Sequence, residues 1–247
     1  MIQSEKQINT FYDAALSTIH DSHFGQLAFG ASQVIKFLLE DRELSNQLIV
    51  DLGCGSGILA KELSEHGVNV LGIDISKQML NIAKHKAPKA TFIQASLFDF
   101  PIPSSNIVCA IGEPVNYLFD NKNDYNTVRN LFQHVFNQLK PKGYFIFDLL
   151  TTEADKTPTT KIVEKEEMTM IVQISVDITT AVLTRKMTFF TKEGDFYTKH
   201  KETHQQQLFD RMKIKAMLQE LGFQVSVVDS YNNQPFRQGH FGFICKK

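Results

Sequence analysis

The chain has 247 residues, 43% hydrophobic and 21% charged, with a net charge of −1. That is the makeup of a soluble globular protein with room for one α/β domain and an elaboration. Near-neutrality argues against the basic footprint of a nucleic-acid binder. The three cysteines (Cys54, Cys109, Cys245) are far apart, odd in number and without metal-ligand spacing. Neither a metal site nor a disulfide framework is expected, and a reduced, cytoplasmic protein is the simplest reading. The N-terminus is polar and lacks a signal-peptide core, and no apolar run approaches the roughly 18 residues of a membrane span.

Residues 1–45 read as a mostly helical cap, FYDAALSTIH followed by GQLAFGASQVIKFLLE. QLIVDL (47–52) is an apolar, β-branched run and so a buried strand. ILAKELSEHG (58–67) has apolar residues at helical spacing and stops at Gly67. VNVLGID (68–74) is the next strand, and SKQMLNIAKHKA (76–87) a helix opened by a serine cap and ended before Pro88. ATFIQA (90–95) and NIVCAIG (106–112) are short apolar runs, DYNTVRNLFQHVFNQLK (124–140) a long amphipathic helix, and GYFIFDLL (143–150) a further strand. This alternation implies parallel pairing in a doubly wound sheet, with the strands buried on both faces and the ligand site at their carboxyl ends. The core is expected over 46–160. Residues 161–208 show three stretches of partial period-2 alternation, with a turn at EGD (193–195), and read as an antiparallel insert that serves as a lid. A helix, RMKIKAMLQELG (211–222), and a closing pair of strands complete the core over 209–247.

The loop in VDLGCGSG (50–57) follows the first strand. It lacks the lysine of a phosphate-binding P-loop, while Gly55 to Ala60 fit the dinucleotide pattern Gly-x-Gly-x-x-Gly/Ala. Asp51 argues the other way. A carboxylate beside a diphosphate is repulsive, whereas S-adenosylmethionine carries an ammonium and a sulfonium and no phosphate. Asp74, at the end of the next strand, can accept hydrogen bonds from both hydroxyls of a ribose, a feature shared with NAD sites.

Together, VDLGCGSG and LGIDIS (71–76) resemble the first two motifs of the class I S-adenosylmethionine-dependent methyltransferases. FIQASLFDFP (92–101) is similar to the family's segment beside the adenine, with Ser96 at a position that is often Asp. AIGEPVNYLFD (110–120), TFFTKEGDFYTKHKETHQQQ (188–207) and FYDAALSTIHDSHFG (11–25) resemble the post-β4 stretch, antiparallel insert and N-terminal cap of a group of small bacterial members. Gln206 and Gln207 stand where relatives often carry an arginine. The resemblance implies a Rossmann-like sheet of seven strands with an antiparallel final strand, and methyl transfer. It also implies a cofactor set of Asp51, Gly53, Cys54, Gly55, Gly57, Asp74, Ile75, Ser96, Leu97 and Gly112.

Methyl transfer from a sulfonium is an in-line displacement that needs alignment and dryness, and a general base only where the nucleophile is protonated. Strand ends aim Glu113, Asn116 and Asp148 at the cleft. Tyr12, His20 and His23 lie in the cap, and Arg185 and His200 in the insert. Of these, Glu113, Asp148, Tyr12 and His23 are the candidates for a catalytic group. The expected reaction moves a methyl group to a nitrogen or oxygen of a small molecule, with no nucleic-acid or membrane partner. An NAD-dependent oxidoreductase and a non-catalytic cofactor-binding module are the alternatives.

Overall fold

The computed structural model describes residues 14–40, 46–119, 123–166 and 168–247, and for 14–24 it describes the backbone. Tyr12 lies outside the described residues, and so do the side chains of His20 and His23.

The core elements follow one another as α1 (Ala14–Leu38), β1 (Leu48–Leu52), α2 (Ile58–Ser64), β2 (Asn69–Asp74), α3 (Lys77–Lys86), β3 (Thr91–Gln94), β4 (Ser105–Ala110), α4 (Tyr125–Gln138) and β5 (Leu139–Leu150). The insert is β6 (Thr159–Lys165), β7 (Met168–Asp177), β8 (Val182–Glu193) and β9 (Phe196–Gln207). The chain closes with α5 (Arg211–Glu220), β10 (Gln224–Val228), β11 (Ser230–Tyr231), β12 (Gln234–Pro235) and β13 (His240–Lys246). Side-chain caps start the helices where the sequence places them. Ser76 accepts from Met79 N at 3.3 Å, Asp124 from Thr127 N at 2.7 Å and Asp210 from Lys213 N at 2.9 Å.

The main sheet has seven strands in the order β3-β2-β1-β4-β5-β13-β10. β13 runs antiparallel to both β5 and β10, and the pairs among β1 to β5 are parallel. β4 is buried at all six positions because helices cover both faces. On one face Val50, Leu52, Val108, Phe145 and Phe147 pack against Phe132 and Val135 of α4 and Ile214 and Leu218 of α5. On the other, Ile49, Ile107 and Ile146 pack against Ile35 of α1 and Leu59 and Leu63 of α2. Phenylalanines dominate the first face: the rings of Phe145 and Phe147 stack at 4.4 Å, and those of Phe147 and Phe243 at 4.9 Å.

The insert forms a separate antiparallel sheet, β6-β7-β8-β9, with four strands in place of the three stretches the alternation suggests. One stretch, KIVEKEEMTMIVQISVD, folds back on itself, so that Lys165 pairs with Met168. Its inner face places Met170, Val172, Met187 and Phe189 against Met79 of α3 and Phe119.

Helix α1 sits close against the β11–β12 ribbon at Gly30. A Cβ there would lie 2.5 Å from the Tyr231 carbonyl oxygen and 3.0 Å from Gln234 Cγ. Gly30→Ala gains about 1 kcal/mol of helix propensity. Overlap with a fixed backbone carbonyl costs more, and a net loss of roughly 1–3 kcal/mol is expected. Thermal denaturation should show it as a Tm lower by about 2–4 °C per kcal/mol; an unchanged or higher Tm would show that α1 shifts freely.

Candidate active site

The carboxyl ends of β1, β2 and β4 open onto one cleft of about 1060 Å³, counting its mouth. The loop after β1 turns back over β2: Gly53 N and Cys54 N donate to the Ile73 carbonyl at 2.7 and 2.9 Å. Gly53 has a φ of 75°, a backbone that favours glycine, and a Cβ on it would fall 2.4 Å from Pro114 Cβ. The loop can therefore lie directly on the turn that follows β4. Asp74 fixes its other side. Asp74 Oδ2 accepts from Gly55 N at 2.8 Å and Oδ1 from Ser76 N at 2.8 Å. With a further backbone donor from Ile75, the carboxylate still has acceptor capacity left over.

Two carboxylates thus line the cleft. Burial raises the pKa of Asp51 to about 7, against a thiol hydrogen bond from Cys109 at 3.6 Å and with a further push from Asp74. Burial also raises the pKa of Asp74, and the backbone donors of Ser76, Gly55 and Ile75 oppose it. The Cys54 thiol is pushed well up by burial and both carboxylates, so it is not a poised nucleophile.

Of the ten residues the resemblance implies for the cofactor, nine line the cleft: Asp51, Gly53, Cys54, Gly55, Asp74, Ile75, Ser96, Leu97 and Gly112. Gly57 stands apart. It precedes α2, and a Cβ on it would meet Ala83 of α3 at 2.8 Å. The cleft also takes Leu27 and Ala28 from α1, Met79 from α3, and Tyr117 and Phe119 beyond β4. Sequence reasoning passes over these apolar residues because nothing local distinguishes them from core. The rings of Tyr117 and Phe119 stack at 4.8 Å, and His204 meets both edge-on.

Glu113 and Asp148 occupy a different place from the one expected of them. Neither lines the cleft; Glu113 is 1% exposed and Asp148 0%. Asp148 accepts from Gly112 N at 3.0 Å, Glu113 N at 2.8 Å and His240 Nε2 at 2.8 Å. Glu113 accepts from Arg237 Nη2 and, at 2.8 Å, from Gln206 Nε2, and His240 Nδ1 lies 3.5 Å away. Burial opposes charge on Glu113, but Arg237, His240 and Arg185, with the Gln206 bond, hold its pKa down to about 2. Burial likewise opposes charge on His240, and the Asp148 and Glu113 carboxylates outweigh it, raising that pKa.

Asn116 is fully buried, donating to the carbonyls of Leu150 at 2.8 Å and Gln207 at 2.6 Å. Arg185 Nη1 donates to Tyr117 Oη at 3.4 Å, and His200 pairs across the insert with Phe189. Among the described residues, no part of β6–β9 lines the cleft. The insert backs Tyr117 and Phe119, which form part of the wall.

Residues 49–143 match the family described as methyltransferase domain. A methyltransferase-family protein of Bacillus subtilis (strain 168), YqeM, is 32% identical over 203 residues, covering 77% of this chain and 79% of that protein. The chain belongs to the class I S-adenosylmethionine-dependent methyltransferases. The fold agrees across full-length solved methyltransferases. An S-adenosylmethionine-dependent methyltransferase from Clostridium acetobutylicum ATCC 824 superposes with a TM-score of 0.77 at 19% identity, covering 94% of this chain and 97% of the other. CalS10, an amino pentose methyltransferase from Micromonospora echinaspora solved with S-adenosylmethionine bound, gives 0.74 at 15% identity, covering 96% and 98%. Membership decides the cofactor left open by the glycine pattern: this methyltransferase uses S-adenosylmethionine, not a dinucleotide.

Asp51 makes the ligand-free methyltransferase sensitive to pH. Its folded pKa of about 7 lies above its unfolded value. The folded state therefore holds a proton that the unfolded chain releases, and stability falls as pH rises from roughly 4 to 7, then levels. Asp51→Asn removes that cost. In chemical denaturation without cofactor it should be more stable than wild type at pH 8, by on the order of a few kcal/mol, with the gain vanishing toward pH 4. Equal stability at pH 8 would show that the carboxylate carries no desolvation cost.

Proposed function

We propose that this methyltransferase transfers a methyl group to a nitrogen or oxygen nucleophile of a small molecule. The observation that carries the proposal is the shape of the cleft. Its lining is polar at Asp51, Asp74 and the backbone of 53–55, and apolar at Leu27, Ala28, Tyr117 and Phe119. In this reading Asp74 takes the ribose hydroxyls, Asp51 faces the cationic amino-acid end, and Ser96 and Leu97 flank the adenine. Bound there, S-adenosylmethionine supplies a sulfonium methyl open to in-line attack. The protein aligns the acceptor against the apolar wall and keeps water out. The chemistry needs no catalytic carboxylate, consistent with Glu113 and Asp148 lying behind the wall. The action of CalS10 on an amino pentose favours a small polyfunctional acceptor of that kind. No helix among the described residues is long and apolar enough to cross a membrane.

The protein should gain thermal stability with S-adenosylhomocysteine, as linkage requires of a ligand that binds the folded state. Asp74→Asn should weaken that binding at least about tenfold, the scale of a lost charge-assisted pair of hydrogen bonds. Affinity for S-adenosylhomocysteine should also rise from pH 6 to pH 8 in wild type and not in Asp51→Asn, because the ammonium selects the ionised carboxylate. A radiolabelled methyl panel of small amines and alcohols then reads the acceptor. Stabilisation with no turnover on any of them would leave a binder and sink the small-molecule reading.

A further inference from the structure

We propose that Glu113 is a positioning residue: it locks the β insert and the C-terminal segment onto the turn that carries the acceptor-side wall of the cleft. The turn is unusual in its backbone. Glu113 has a φ of 65°, sparsely populated by any residue with a side chain, and it persists between Gly112 and Pro114 because its surroundings fix it. From one side the fixing is done by Asp148 of β5, which takes the two successive N–H groups of Gly112 and Glu113.

The Glu113 side chain does the rest. Its carboxylate receives Gln206 from the end of β9 and Arg237 from the segment before β13, with His240 of β13 beside them. Two backbone links run alongside: Leu118 N donates to Gln205 O at 2.9 Å, and Tyr117 bridges to Gln206. The partners lie 93 and 124 residues away in sequence, so this one carboxylate joins side chains from three distant segments. Arg185, 9% exposed, adds its charge to the cluster and reaches Tyr117. A carboxylate held this way is costly to lose, because its removal leaves the buried Arg185 and the Nε2 of Gln206 without its charge.

The site side of the same turn touches the cofactor loop. Gly112, Pro114, Tyr117 and Phe119 line the cleft, and Pro114 occupies the space that a Cβ on Gly53 would need. Occupation of the glycine loop should therefore be felt at the end of β9 through Pro114 and Glu113. The physical warrant is a chain of direct contacts with one buried ion at its centre. The ligand part of the test rests on the cofactor reading above.

Hydrogen–deuterium exchange tests it. Without ligand, Glu113→Gln should speed exchange by about tenfold or more in 112–118, 202–207 and 234–240 and leave 50–57 and 69–76 unchanged, since a segment freed from its anchor opens locally while the rest of the fold stays closed. In wild type, S-adenosylhomocysteine should protect 53–57 and 74–76 directly and 202–207 at a distance. In Glu113→Gln the direct protection should survive and the distant protection disappear, a split that a merely structural loss would not give. Arg237→Gln and Gln206→Leu divide the lock should Glu113→Gln fail to fold: the first should release 234–240, the second 202–207. Uniformly faster exchange, or unaltered distant protection in all three variants, overturns the proposal. If S-adenosylhomocysteine protects nothing in wild type, the cofactor reading fails, and the ligand-free comparison alone decides the lock.

Discussion

One fully buried carboxylate, Asp148, holds the arrangement on which the cleft depends. It stands in β5 opposite Gly242 of β13 and gathers two backbone N–H groups from the turn after β4 and the imidazole of His240. Parallel strands end in loops that nothing in the sheet itself fixes. Here the loop after β4 is fixed by a charge-assisted bond set, which is stronger and shorter than neutral ones and costly to leave unmade. Insertion of β13 between β5 and β10 is what brings His240 to that carboxylate. The antiparallel final strand thus does more than extend the sheet: it delivers the His240 imidazole to the back of the site.

The two sets of acids divide the work by their surroundings. Asp148 and Glu113 are surrounded by donors and cations and serve the protein's own geometry. Asp51 and Asp74 face the cleft, and their raised pKa values come from burial. Buried charge without a partner is expensive, and structures keep it where a ligand supplies the partner. In the proposed reading, a cofactor with a cationic amino-acid end and a ribose diol would offer Asp51 its counter-charge and Asp74 a further donor. In that reading the same two carboxylates that make the ligand-free cleft costly also disfavour a diphosphate.

Much of this was legible in the sequence, and the boundary follows range along the chain. Buried strands, helix caps and the acids at the ends of β1 and β2 are local: apolar runs, a Ser or Asp before a helix, an acid before a glycine turn. Asp51 and Asp74 stand out in the sequence because each lies at the carboxyl end of its own strand. Glu113 and Asp148 could be noticed as strand-end acids, but not what they face. That depends on His240 and Arg237, 92 and 124 residues distant. The β6–β7 hairpin is hidden for a different reason. Its strands are separated by Glu166 and Glu167 alone, without the glycine or asparagine that marks a tight turn. Tyr117 and Phe119 carry no local signal at all. Their role comes from stacking on each other beneath His204 of the insert.

The insert stands behind the residues that shape the cleft. It contributes no described residue to the cleft, yet it supplies Gln206, Arg185 and His204 to the residues that shape it. Variation in such an insert can reshape the apolar wall from behind without disturbing Asp51 and Asp74, because the two are built on different strands. One link between them is the Gly53–Pro114 contact, where a missing side chain on one loop admits a proline from the other. A close-packed contact of this kind transmits displacement instead of absorbing it. The apolar wall and the polar cradle can therefore be specified by separate parts of the sequence and still move as one surface.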